Sequence, residues 1–245
     1  MARDLEDYTQ KYQLAPFEHF QVEYRRQTVL RLINDVKPTS LLEIGCADRP
    51  LFTDLPTSMQ ITVVEPAIDF ANNAKRIACD YENVAIFHGF FEDLNADQKF
   101  DMVILSGLLP ELDDPEAALQ AVLKFCASET TVHVNVPNAS SLHRQLALAM
   151  GLIPDLRAMS QTQQTLQLRN FVDDMETLEA LMKKVGFEVT DRGGIFVKPF
   201  THAQMQELFD AEFLTQRMLD GLQNLALEHP ELASEIWVHA KRKSQ

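Results

Sequence analysis

The stretch Ser40-Leu41-Leu42-Glu43-Ile44-Gly45-Cys46-Ala47-Asp48 decides how this chain is read. A short apolar run entering a glycine is the pattern of a buried strand that ends in a tight turn. The pattern recurs downstream. Ile61-Thr62-Val63-Val64-Glu65, Val84-Ala85-Ile86-Phe87, Asp101-Met102-Val103-Ile104-Leu105 and Thr130 to Val136 read as strands, with helices over Pro66 to Cys79 and Pro115 to Cys126. Continuous β-branched runs need cover on both faces, and helices linking parallel strands by right-handed crossovers supply it. The expected fold class is α/β, a doubly wound, mostly parallel seven-stranded sheet with helices on both faces.

Outward from this centre, residues 1–36 form an N-terminal segment that is helical from Pro16 to Val36. Val22, Val29, Leu30, Leu32 and Ile33 mark its apolar stripe, and Lys37-Pro38 ends it. On the other side come a helix from Ala139 to Met150, a polar Gln-rich loop from Ser160 to Gln167, and a helix from Asp174 to Val185. A long strand from Gly186 to Val197, broken at Gly193-Gly194, precedes a helical insertion over residues 200–230 and a last strand, Ile236 to Ala240. Leu214, Met218, Leu222 and Leu225 recur at helical spacing in the insertion; a core-facing stripe is expected, and a homodimer face is the other reading. Neither a repeat nor a flexible linker divides the chain, so residues 1–245 read as one domain.

Composition excludes several function classes. With 22 basic against 36 acidic residues the formal charge is −14, which repels a phosphate backbone and argues against a nucleic-acid partner. The basic run Lys241-Arg242-Lys243 reads as a solubilising tail. No stretch approaches the ~20 apolar residues of a membrane span, so no membrane partner and a cytoplasmic location are expected. Cys46, Cys79 and Cys126 lie far apart, without metal-ligand spacing; a reducing compartment and no bound metal follow as expectations.

In an open parallel sheet the ligand crevice lies at the carboxyl ends of the strands, where the strand order reverses. The first turn, Glu43-Ile44-Gly45-Cys46-Ala47-Asp48, has one glycine instead of the three that a dinucleotide pyrophosphate requires, which weakens a nicotinamide or flavin reading. A nucleoside without phosphate suits it better. Glu65, at the end of the second strand, is placed to accept hydrogen bonds from both hydroxyls of a ribose, although an acid before Pro66 also reads as a helix cap.

These features resemble the class I methyltransferases that use S-adenosylmethionine, and the resemblance runs over most of the chain. LLEIGCAD looks like their first motif, with Glu43, Gly45 and Ala47 at the positions that hold the amino-acid part of the cofactor. VVEPA looks like the second, implying Glu65 on the ribose beside Pro66. HGFFEDL looks like the adenine-side loop, and FDMVILSGLLPELDDP like the fourth strand, closing on Ser106, with its turn. Later segments are similar to bacterial members that methylate small metabolites, quinones and sugars. The resemblance implies a Rossmann-like methyltransferase fold, S-adenosylmethionine as cofactor and a small-molecule acceptor.

The chain departs from the family pattern at the catalytic positions. Phe90 replaces an acid common after the glycine of the adenine-side loop, leaving adenine to the Phe91 ring and the Glu92 carboxylate. Glu111 stands where a histidine is common. For a hydroxyl acceptor a base must take the proton, which adds on the order of 10²–10⁴ in rate. His143, after the fifth strand, is the leading candidate and Glu111 the second; a locally hydrogen-bonded histidine and a solvated turn acid are the plain alternatives. His133, inside the fifth strand, and His88 read as structural, and His19 has only a weak claim. For the acceptor, Tyr12, Asn138, Arg144 and Lys198 are the candidate contacts, while Arg25 is a candidate partner for the cofactor carboxylate. In the resembling enzymes the N-terminal segment closes as a lid.

Two functions from different classes follow. The first is a methyltransferase acting on an oxygen, less readily a nitrogen, of a small metabolite such as a sugar or a biosynthetic intermediate. The second is a cofactor-binding regulatory or scaffold protein without catalysis, motivated by the missing histidine and by Phe90.

Overall fold

The strands of the computed structural model are β1 (Ser40–Ile44), β2 (Gln60–Glu65), β3 (Val84–His88), β4 (Phe100–Ser106), β5 (Cys126–Pro137), β6 (Phe187–Ile195) and β7 (Glu235–Arg242). They form one sheet in the order β3-β2-β1-β4-β5-β7-β6. The structure describes Leu5, Gln164, Val172 and residues 17–95, 97–159, 168–170 and 174–243. β1 pairs in parallel with β2 on one side and β4 on the other, so the chain order reverses between β1 and β4 and opens a crevice at their carboxyl ends. Only β7 runs antiparallel, between β5 and β6. This is the sheet expected from the apolar runs.

Helices α1 (Glu18–Val36), α2 (Ile68–Ala78), α3 (Pro115–Val122), α4 (Leu142–Ala149), α5 (Met175–Val185), α6 (His202–Asp210) and α7 (Gln216–Glu228) cover the sheet. Alternate residues of each strand feed opposite cores, as the two-residue pleat requires. Leu42, Val103, Leu105, Val132 and Val134 pack with Leu119 and Val122 of α3 and Leu178 and Met182 of α5. Leu41, Val63, Met102 and Ile104 face the other way, toward Val29 and Ile33 of α1 and Ala74 of α2. Burying each such side chain contributes about 1.5–3 kcal/mol, so the central strands hold the crevice between two rigid layers.

Several boundaries differ from expectation, each for a local reason. The helix expected from Ala139 begins only at Leu142, because Asn138 forms a bridge with Val172 and donates from Nδ2 to the carbonyls of Glu231 and Ala233, both at 3.0 Å. β6 is not broken at its glycines. Gly193 lies under the Trp237 ring, where a Cβ would come within 2.7 Å, and Gly194 faces Ala233 and the Ala226 carbonyl at 2.6 and 2.8 Å. The glycines are there to let the strand pass.

The insertion is two helices, each opened by a threonine cap: Thr201 in a capping box with Gln204, and Thr215 accepting from the Met218 N–H. The expected stripe is also corrected. Leu214, just before α7, is buried and Leu222 packs against the same core, but Met218 and Leu225 are exposed, and Leu219 and Ala226 take the inward positions. Because the cap fixes where α7 begins, it also fixes which face turns inward.

Candidate active site

Both strands that flank the crevice end in a left-handed glycine. Gly45 has φ 79° and donates its N–H to Val64 at 2.8 Å; Gly107, directly after Ser106, has φ 71° and donates to Asn135 at 3.0 Å. A Cβ on either would meet nothing within 4 Å, so open space lies against two adjacent turns. Ala47 is left-handed as well, φ 48°, and packs beside Ala67 and Phe70. Glycine at 107 was not singled out from the sequence, though its place after an apolar strand was the available signal.

Glu65 joins the first two turns. Its Oε2 accepts from the N–H groups of Cys46 (3.0 Å) and Ala47 (3.2 Å), and its Oε1 accepts from Ala67 (2.9 Å), across Pro66. Burial pushes its carboxyl above the usual range, while these three N–H groups pull it back. The Cys46 thiol also reaches this carboxylate; turned to the Ala47 carbonyl, 3.5 Å away, it leaves one of about four acceptor directions for a ligand donor. Glu43 is buried on β1 and accepts from the Leu51 N–H with both oxygens, at 3.2 and 3.1 Å. Burial drives it up to about 8, against the pull of Leu51 and of nearby Arg26. Arg26 is fully engaged by Asp54, Thr53 and the carbonyls of Arg49 and Pro50.

At the adenine-side corner the expectation for Phe91 is overturned. A 3-10 turn over Phe91–Asp93 directs that ring into the core with Leu42 and Val64, and the outward ring is Phe90, 57% exposed. Glu92 is exposed beside it.

A second group of functional side chains gathers at the same sheet edge, over β5, β7 and β6. Because α1 leads into the start of β1, its first turn lies at the carboxyl edge. From the next turn Arg25 binds Glu235 at 2.5 and 2.8 Å and reaches back to Glu18 at 3.2 Å. Glu235 also accepts from Gln21 and Asn135, both at 2.9 Å. Arg25 was expected on the cofactor carboxylate; Glu235 instead draws it to β7, which β5 and β4 separate from β1.

The remaining candidates fall as follows. Asn138 is engaged in holding the chain beyond β5, its Oδ1 accepting from Ser140 N–H at 2.9 Å. Arg144 is buried and donates to the carbonyls of Leu156 (2.9 and 2.6 Å) and Ala158 (2.6 Å), tying down the chain after α4 instead of meeting an acidic ligand. His143 lies 3.1 Å from Ser141 Oγ through Nδ1, and burial together with the charges of Lys198, His202 and Arg144 pushes it down to about 2. Such surroundings oppose the imidazolium that a general base must form. Glu111 is half-buried on the turn Leu109–Glu111 after β4. Lys198, a candidate acceptor contact, is buried, its Nζ 3.0 Å from His202. Tyr12 lies outside the described residues. Sequence reasoning missed Glu18, His202 and Glu235, which no motif marks.

His133 is structural, as expected. It is wholly buried opposite His239, near Trp237, and burial drives it down to about 3. Leu109 and Pro110, on the turn that carries Glu111, line a hollow of about 260 Å³ with Asp114, Asn170 and Val172.

A family model described as a methyltransferase domain matches residues 17–192. The chain belongs to the methyltransferase-domain family. It is a class I methyltransferase, an enzyme of the class whose cofactor is S-adenosylmethionine. No curated protein matches it by sequence. Solved structures do match the fold. The N-methyltransferase NodS from Bradyrhizobium japonicum WM9, in complex with S-adenosyl-L-homocysteine, is 13% identical, with 92% of this chain and 88% of that chain covered and a TM-score of 0.56. The plantazolicin methyltransferase BamL, in complex with a triazolic desmethylPZN analogue and S-adenosylhomocysteine, is 14% identical over 98% of both chains, with a TM-score of 0.57. The O-methyltransferase NcsB1 from neocarzinostatin biosynthesis, in complex with S-adenosylmethionine and 2-hydroxy-5-methyl naphthoic acid, is 14% identical over 84% of this chain and 50% of that chain, with a TM-score of 0.53. Methyltransferases of both nitrogen and oxygen thus share this architecture. No helix among the described residues is long and apolar enough to cross a membrane.

Proposed function

We propose that this enzyme transfers a methyl group from S-adenosylmethionine to an oxygen, less readily a nitrogen, of a small metabolite. The observation that carries the reading is the paired left-handed turn at Gly45 and Gly107, open on its Cβ side and flanked by the Glu65 carboxylate. A nucleoside lacking phosphate fits such a cradle, because it needs close backbone approach and a diol acceptor but no helix N-terminus.

In this proposal Gly45, Ala47 and Glu43 border the amino-acid end of the cofactor. Glu65 and Pro66 border its ribose, Phe90 and Glu92 its base, and Ser106 closes the far wall. When bound, the cofactor supplies an electrophilic methyl group on a sulfonium. The protein's contribution is orientation and exclusion of water, and tight alignment of reactants is worth roughly 7–11 kcal/mol. Of the two candidate bases Glu111 keeps the role, since it stands on the turn directly after β4, while the cations around His143 disfavour proton uptake there. Tyr12 remains a proposed acceptor contact from the N-terminal segment.

Isothermal titration with S-adenosylmethionine and S-adenosylhomocysteine tests the proposal. Saturable binding that is lost in Glu65→Ala is expected, and no saturable binding at millimolar ligand overturns it.

A further inference from the structure

Lys198 follows β6 at the same edge as His143, and only 2% of its surface is exposed. Its Nζ stands against the His202 ring, 3.0 Å from Nδ1 and 3.4 Å from Nε2, and among the described residues no carboxylate lies within ion-pair distance of it. The two carboxylates whose charge it feels are engaged elsewhere: Glu235 by Arg25, Gln21 and Asn135, and Glu18 by Arg25 and, at 3.3 Å, by His202 Nε2. With Glu18 beside Nε2, that nitrogen is the donor to the carboxylate, and Lys198, nearly equidistant from both ring nitrogens, lies off the in-plane lone pair of Nδ1. An ammonium carries three N–H donors, and His202 engages at most one of them, so at least two are left to offer.

A buried cation without a counter-charge is costly, and folding retains such an arrangement where a ligand completes it. The neighbouring charges are paired with one another in the same sense. Arg25 faces Glu18 and Glu235 and Arg144 faces Asp155, which leaves Lys198 as the cation of the group without a carboxylate at contact distance among the described residues.

Backbone strain points to the same place. Phe17, directly before Glu18, has φ 60°, and Phe196, two residues before Lys198, has φ 54°. Both rings are fully buried, with centroids 5.9 Å apart. Left-handed backbone is unfavourable for a residue with a Cβ and persists where the surroundings over-determine it, as they do at ligand clamps. Here the two strained residues lean on each other and aim the chain into opposite arms of the Glu18–His202–Lys198 chain.

We propose that Lys198, oriented by Glu18 and His202, binds a carboxylate of the methyl acceptor, so that the acceptor is a small organic acid. A single ammonium matches a monoanion better than a doubly charged phosphate. Glu18 and His202 are positioning residues. The inference rests on the methyl-transfer reading, and the two fail separately in the following experiment.

The whole protein is titrated calorimetrically with benzoate, benzamide and inorganic phosphate, with and without S-adenosylhomocysteine. Benzoate is expected to bind saturably in the millimolar range, with benzamide and phosphate at least tenfold weaker. Lys198→Met should lose at least tenfold for benzoate and keep its affinity for S-adenosylhomocysteine within twofold. In the unaltered protein, benzoate affinity should fall as pH rises through about 8, where Lys198 gives up its proton; His202→Gln should move that midpoint, which a merely structural role would leave in place. Equal affinity for benzoate and benzamide, stronger binding of phosphate, no saturable benzoate binding, or a flat pH profile each overturns the anion site. The pH arm decides even where Lys198→Met does not fold. Benzoate binding without any binding of S-adenosylhomocysteine removes the methyl-transfer reading and leaves the site.

Discussion

Glu65, the last residue of β2, reaches the backbone N–H of Cys46, 3.0 Å away beyond the end of β1, and so fixes the turn that β1 makes over the crevice. One carboxylate thereby shapes the cradle and offers its remaining capacity to a ligand. Glu65→Gln keeps the side-chain length but loses the charge and one acceptor oxygen. Affinity for S-adenosylhomocysteine should fall by on the order of tenfold, about 1.4 kcal/mol, measured by isothermal titration. Unchanged affinity would remove Glu65 from the binding site.

Gly45 and Gly194 are irreplaceable for different reasons, and alanine separates them. At Gly45 a Cβ has room but the φ of 79° does not suit it, so Gly45→Ala should cost about 1–2 kcal/mol of stability and also obstruct the cradle. At Gly194 the obstacle is backbone and side-chain atoms at 2.6–2.8 Å, and overpacking of this kind costs typically about 1–3 kcal/mol. Thermal melts should show both losses, with cofactor affinity lost only in Gly45→Ala.

Glu43, buried and driven up to about 8, makes stability depend on pH. Its folded-state value lies above the unfolded one, so the stabilisation is complete below the ordinary value of 4.5 and is lost as pH rises through about 8. Glu43→Gln does not titrate. The melting temperature of the variant relative to the parent should therefore climb from acid to about 8 and level off beyond it; a constant difference would contradict the assignment.

His133 works in the opposite direction. Folding holds it neutral, down to about 3 from 6.5, so its contribution is present above 6.5 and disappears as pH falls toward about 3. His133→Leu should flatten the acid limb of the stability curve. The check is the urea midpoint at neutral and acid pH, whose difference should shrink in the variant.

Asp114 caps α3 by accepting from the Ala117 N–H at 2.9 Å. Asp114→Ala should cost about 1 kcal/mol, visible in urea unfolding, without altering cofactor affinity, because α3 packs on the sheet away from the Gly45 turn.

The fold was legible because its cause is local. Leu41-Leu42 and Met102-Val103-Ile104 are apolar at every position, and only a strand covered on both faces buries both registers. The Gly45 turn was legible for the same reason, since a single glycine after such a strand signals left-handed backbone. Phe91 was misread because the direction of a ring in a 3-10 turn depends on where that turn starts. Arg25 and Asn138 have the chemistry of a ligand contact but find their partners far along the chain, at Glu235 and the Ala233 carbonyl, and Arg144 is taken up by the Leu156 carbonyl, 12 residues on, where the chain turns back after α4.

Taken alone, the order of apolar runs and turns determined the layered sheet, the position of the crevice and the carboxylate at its rim, because backbone sterics and pleat periodicity act between neighbours in sequence. Only the tertiary structure decided which charges meet. Glu18 and His202 are separated by most of the chain, and their pairing with Lys198 exists because α1 returns to the carboxyl edge where β6 ends. Desolvation and Coulomb energies depend on distance through space, which spacing along the chain does not encode.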